Sequence, residues 1–432
     1  MVDKIINKTI NIFYNKKLSY FLENNLRQFY LIYFLIILFF WNVNYLLFDA
    51  KYLTGFIFGF CFLTYIKKLN LLKKKSLYLI IIFFFAHFFI ISIQTNFIFI
   101  KENILTYSYL IISIFVVILL YDYLIRNFQL ILNSFTFIFN SIFIIFTIIY
   151  LQNGGYLNID CYKGIFSETG FIFKENSHFG LISSAVIFYN TNIILEGQIK
   201  KYKNFFLVNT VIFILISFLT ISTSFLVTTF LLSIFFLFKN KSLKKKFFYL
   251  LLVIVSILFL ISKDQCKYRS TDNLKYTIES LKQKEIVDSD YNYKILYPER
   301  ALSYDVFFNS IKIGVLTLPR NLLGVGANNY SQLFKKFVDK KLENTNEINF
   351  LNLEDASSNF SKILGEFGLF GLIFYIYLLF KLVRIDSSNS FQIFLITSIF
   401  SQSLRGVGYF TAAFIILTTA LYISTNDKKN KK

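Results

Sequence analysis

Residues 205–238 read FFLVNTVIFILISFLTISTSFLVTTFLLSIFFLF, a run without a single charged side chain. About 20 apolar residues suffice for one helical crossing of a bilayer, so this run is too long for one and long enough for two. Lysines flank both ends: Lys200, Lys201 and Lys203 before it, Lys239, Lys241 and Lys244–Lys246 after it. A single crossing would put one cluster on each side. Two helices turning near Thr220–Ser224 would return both clusters to the same side. The second arrangement is the expected one, because Lys and Arg in short loops mark the cytoplasmic face.

Outward from this stretch, further apolar runs lie at 29–48, 52–66, 77–94, 104–121, 128–150, 178–195, 247–262, 363–380, 390–404 and 407–424. Lipid offers no partner to backbone polar groups, so such runs read as helices. The sequence therefore predicts an all-α polytopic membrane protein of about 12 transmembrane helices. Residues 1–28 are expected as a basic cytoplasmic N-terminus without a cleavable signal, and 29–262 as helices 1–9 with an outer loop near 151–177. A large periplasmic loop follows over 263–362, before the last three helices in 363–424. Residues 425–432 form a basic cytoplasmic tail. Both termini are expected in the cytoplasm of a bacterium, with the chain in its inner membrane.

Composition agrees with this expectation. Apolar residues make up 56% of the 432, aromatics 20% and charged residues 16%, against about 25% charged in soluble domains. The net charge of +20 falls mostly in segments expected on the cytoplasmic side. Contact with anionic membrane lipids accounts for it there, and no nucleic acid is implied. Cys61, Cys161 and Cys266 show no metal-ligand or disulfide-framework spacing.

Within the large loop, Glu299–Leu316 reads as a helix, with Leu302, Val306 and Ile313 on one face. Pro319 ends it and Gly324-Val325-Gly326 makes a turn. Another helix should begin near Asp355–Ser358, carry Glu366, and pass through Gly365, Gly368 and Gly371.

Taken in order, several stretches resemble the bacterial O-antigen polymerase and ligase superfamily. They are Phe173–Gly180, Arg300, Leu318–Gly326, Asp355–Asn359, Leu364–Gly371 and Leu404–Phe410. Asp355–Glu366 contains no His, which favours the polymerase (Wzy-type) branch over the ligase. The resemblance implies polymerisation of undecaprenyl-pyrophosphate-linked oligosaccharide units into a surface polysaccharide. The enzyme would then be a membrane glycosyltransferase without a metal or other cofactor, and a chain-length regulator is a further partner. Transfer of glycan to lipid A-core and flipping of a lipid-linked oligosaccharide are the alternatives.

That chemistry assigns candidate residues. A diphosphate leaving group calls for fixed cations, and arginine binds phosphate oxygens through a planar fork. Arg300, Arg405 and Arg320 are the candidates, with Lys163 adding charge and Asp355 a polar contact. A base for the acceptor hydroxyl is sought among His178, Glu175 and Glu366. Glu366 has a competing structural role as the partner of Lys362, one turn earlier. His87 lies mid-run among aromatics and is read as a buried structural residue.

Overall fold

The computed structural model describes residues 16–40, 50–65, 75–94, 100–152, 176–198, 203–220, 222–264, 321–335, 358–404 and 414–426, with 311, 313–315 and 318–319. Their helices are α1 (Lys16–Phe39), α2 (Ala50–Tyr65), α3 (Lys75–Gln94), α4 (Ile100–Gln152), α5 (Asn176–Leu195) and α6 (Lys203–Leu219). There follow α7 (Thr223–Lys239), α8 (Leu243–Asp264), the short α9 (Tyr330–Lys335), α10 (Asn359–Arg384), α11 (Ser390–Leu404) and α12 (Phe414–Asn426).

Aromatic side chains form the centre of the bundle. The Phe139 and Phe179 rings stack at 4.4 Å between α4 and α5, and Phe39 stacks on Phe135 at 4.5 Å between α1 and α4. Phe213 of α6 sets its edge against Phe135, Phe139 and Phe179. Amide and hydroxyl side chains fix the register of these helices. Asn209 donates to Thr136 at 2.7 Å and accepts from Asn140 at 2.6 Å, tying α6 to α4. Asn190 donates to Thr210, and Asn192 to Ser390 at 2.8 Å, tying α5 to α6 and α11. Buried amides are costly unless bonded, so each pair favours one helix alignment over slipped ones.

Twelve membrane crossings are not what the structure shows. Among the described residues only α4, over Asn103–Ile149, is an unbroken helix long and apolar enough to cross a membrane; α10 has the length and composition but is broken at Gly368. The other apolar runs found within the described residues are of 10–17 residues, such as Ser390–Leu404. At 1.5 Å per residue, 15 residues reach only about 23 Å, short of a hydrocarbon core about 30 Å thick. The expected polytopic fold, and with it a multi-pass inner-membrane location, is therefore corrected. An apolar run does not distinguish a helix buried in protein from one facing lipid. Residues Leu181–Ile193 of α5 are buried all round by other helices.

Two spans had the wrong ends. The runs at 104–121 and 128–150 belong to one helix, α4, of 53 residues. Asp122 and Arg126 between them looked like a loop. They stand four residues apart on an exposed face, the spacing that supports a helix. By contrast α10 is not one rod. Gly368 sits at φ 55°, ψ −127°, and the chain doubles back there. The Phe360 and Tyr375 rings, fifteen residues apart, lie 4.7 Å apart. A Cβ added to Gly371 would overlap the carbonyl oxygen of Ile363. The first half, 359–367, starts at Ser358, whose hydroxyl accepts from Ser361 N at 3.1 Å. This is N-capping of the ordinary kind. The second half, 369–384, runs to the turn before α11.

Candidate functional site

A broken helix exposes backbone groups in mid-fold, and they need partners. Here the segment Asn321–Asn329 supplies them. Val325 N donates to Gly365 O at 3.1 Å and Gly326 N to Glu366 O at 2.9 Å, so the loop caps the end of the first half. Leu369 N, opening the second half, donates to Leu322 O at 2.8 Å. This close backbone approach explains the glycines. A Cβ on Gly324, at φ 79°, would overlap the Glu366 carbonyl, and one on Gly368 the Leu322 carbonyl.

Polar side chains hold the loop from the other side. His87 Nε2 lies 2.8 Å from Leu323 O, and Nδ1 lies 2.5 Å from the Tyr107 hydroxyl. A carbonyl only accepts, so Nε2 carries the proton and Nδ1 accepts from Tyr107. The Tyr107 oxygen in turn accepts from Ala327 N at 3.3 Å. Asn329 donates to Asn103 at 3.2 Å and to Val325 O at 3.1 Å. Helices α3 and α4 thus grip the loop through His87, Tyr107 and Asn103. Burial disfavours a charged imidazole and holds His87 below its ordinary value, while the bond to Leu323 O works the other way. The Phe367 and Phe83 rings lie 5.1 Å and 5.5 Å from the imidazole.

Glu366 is wholly buried at the break, with Lys362 buried one turn before it. Its Oε1 accepts from Tyr330 N at 3.2 Å, placing a carboxylate at the start of α9. Both imidazole nitrogens are engaged, and the carboxylate has a backbone donor.

Of the residues chosen for catalysis and binding, Glu366 is the one whose side chain is described. His178 lies in the first turn of α5. Glu175, Lys163, Arg300, Arg320, Asp355 and Arg405 lie outside the described residues. The contacts described for Glu366 are with the loop side: Tyr330 N donates to it, and Tyr107 lies within its electrostatic reach. The sequence reading set His87 aside as structural and gave Tyr107 and Asn103 no role. Nothing in their spacing ties them to a loop more than 200 residues onward. Among the described residues no three His, Cys, Asp or Glu side chains gather as metal ligands would.

No known protein family, characterised protein or solved structure matches this chain. The resemblance to the O-antigen polymerase and ligase superfamily thus rests on short motifs alone. Two candidate crossings among the described residues do not supply the multi-pass frame that gave those motifs their order and sidedness. Polymerisation of lipid-linked oligosaccharides, with the ligase and flippase alternatives, is corrected on the same ground.

Proposed function

We propose that this chain is a helical-bundle protein that associates with membrane lipid through exposed apolar side chains. The observation that carries the reading is the outer surface itself. Large apolar side chains stand more than half exposed on several helices: Ile82 and Phe89 on α3, Leu105 on α4, Leu215 on α6, Phe247 and Leu258 on α8. Scattered exposed leucines are ordinary, but broad apolar surface shared by many elements marks a face that meets another apolar phase. Covering one half-exposed side chain of this size gives on the order of 1 kcal/mol. The sum over several helices favours lipid strongly over water.

In this reading the polar hub at Gly368 is a scaffold. It fixes the Asn321–Asn329 loop, where Leu322 and Asn328 remain exposed. Detergent removal in the presence of phosphatidylcholine vesicles tests the proposal. The protein is expected to float with the vesicles through a density gradient and to precipitate without them. Monodisperse protein in buffer free of lipid and detergent would overturn it.

A further inference from the structure

The turn between α7 and α8 lies against the end of α10. Lys239 Nζ donates to Leu382 O at 3.3 Å and to Val383 O at 2.6 Å, and Lys245 Nζ donates to Ser387 O at 3.0 Å. Lys245 is buried and also pairs with Glu196 at the end of α5. These two lysines are used internally and fasten three elements into one end of the bundle. Lys241, Lys244, Lys246 and Arg384 belong to the same fastened segments, and all but the half-buried Lys246 are exposed. The acidic side chains described at this end are Glu196, held by Lys245, and Asp386, which binds Ser388 and lies within electrostatic reach of Lys239.

Apolar side chains project beside these charges. Phe238 and Leu243 are 81% exposed, Phe247 72% and Val383 68%, among the most exposed large apolar residues described. Basic groups flanked by projecting aromatic and aliphatic side chains suit a membrane interface. The apolar groups enter the acyl boundary while the cations meet phosphate. A soluble anion would not use the apolar members.

We infer that residues 238–247 together with 380–384 form a docking surface for anionic phospholipid. Lys241, Lys244, Lys246 and Arg384 contact the headgroup phosphates, while Phe238, Phe247 and Val383 enter the acyl layer. This rests on the lipid-associated reading and adds headgroup selectivity and a location to it. A ligand bound to the folded state raises its thermal midpoint.

The test uses the full chain in a neutral detergent, titrated with phosphatidylglycerol, phosphatidylcholine or soluble glycerol phosphate. Phosphatidylglycerol is expected to raise the midpoint well above the rise given by phosphatidylcholine, with glycerol phosphate giving none. Each Lys→Ala or Arg384→Ala change should weaken phosphatidylglycerol binding about fivefold and leave the phosphatidylcholine response alone. Lys→Arg replacements at 241, 244 and 246 should keep the preference, separating lost charge from lost folding. Equal responses to the two lipids would overturn the inference and leave the lipid-associated reading standing. A response to glycerol phosphate matching that to phosphatidylglycerol would also overturn it, as a free-anion site. Failure to float with any vesicle would remove the underlying reading and the inference together.

Discussion

Gly324 and Gly368 each hold a positive φ while facing the backbone of the opposite segment. Alanine at either position must bear a left-handed conformation, costing about 1–2 kcal/mol, and a steric overlap that no side-chain rotation relieves. Gly324→Ala and Gly368→Ala are therefore each expected to lower stability by at least about 2 kcal/mol, read as a fall in the thermal midpoint in detergent. A midpoint within a degree of wild type would show that the loop does not seat on the break. The His87–Tyr107 pair gives a second prediction. Tyr107→Phe leaves His87 Nδ1 and Ala327 N without their shared partner, a loss of about 1–3 kcal/mol.

The imidazole adds a pH dependence. Its folded value is lowered, so below about pH 6.5 the unfolded chain binds the proton more readily than the folded one. His87 therefore contributes stability that is present above pH 6.5 and lost as the pH falls toward its folded value. The midpoint should drop between pH 7 and pH 5, and His87→Gln should flatten that drop. The sequence showed a turn at Gly324–Gly326 and a buried His87, but not what either of them meets. His87 was correctly placed in a buried aromatic run, but a hydrogen bond to residue 323 leaves no local trace at residue 87.

At the scale of elements, the apolar runs marked where helices form. They did not reveal what surrounds each helix or where a helix folds back. The long run 205–238 is divided between two helices, α6 and α7. The break at Gly368 escaped because Gly365, Gly368 and Gly371 recur every third residue and were read as lying within one continuous helix. The cause lies 45 residues earlier, in a loop whose backbone completes the broken hydrogen bonds.

The join of α7 and α8 to the end of α10 gives the prediction at this scale. Lys245 is buried and bound to Glu196 and Ser387 O. Glu196→Gln strands that charge, whereas Lys245→Met removes it and leaves a partly exposed glutamate to water. Glu196→Gln is expected to cost on the order of 1 kcal/mol and Lys245→Met less, since the lysine is the buried member and stranding its charge harms more than replacing it with apolar volume. The reverse order in thermal unfolding would mean that the lysine is not held by the pair.

For the molecule as a whole, interior and exterior are made of the same residue types. Phe139 is fully buried and Phe247 is 72% exposed, yet both sit in apolar helical runs. Counting such runs therefore overestimated the crossings, because each run was taken to face lipid. Substitution separates the two classes. Phe139→Ala opens a cavity among Phe135, Phe179 and Phe213, and should cost about 3–5 kcal/mol in any solvent. Phe247→Ser removes a side chain with little protein around it, so the midpoint in detergent should move by no more than about 0.5 kcal/mol. The same change removes an apolar group from the surface proposed to meet lipid. Vesicle partition should then fall about tenfold, the equivalent of roughly 1.4 kcal/mol of lost apolar transfer. If Phe247→Ser destabilised the detergent-solubilised protein as much as Phe139→Ala, the outer surface would be covered by protein. If it left partition unchanged, that surface would not be where lipid binds. Only the combination of an undisturbed midpoint and weakened partition fits a bundle that meets lipid through exposed apolar side chains while its interior is held by stacked rings and paired amides.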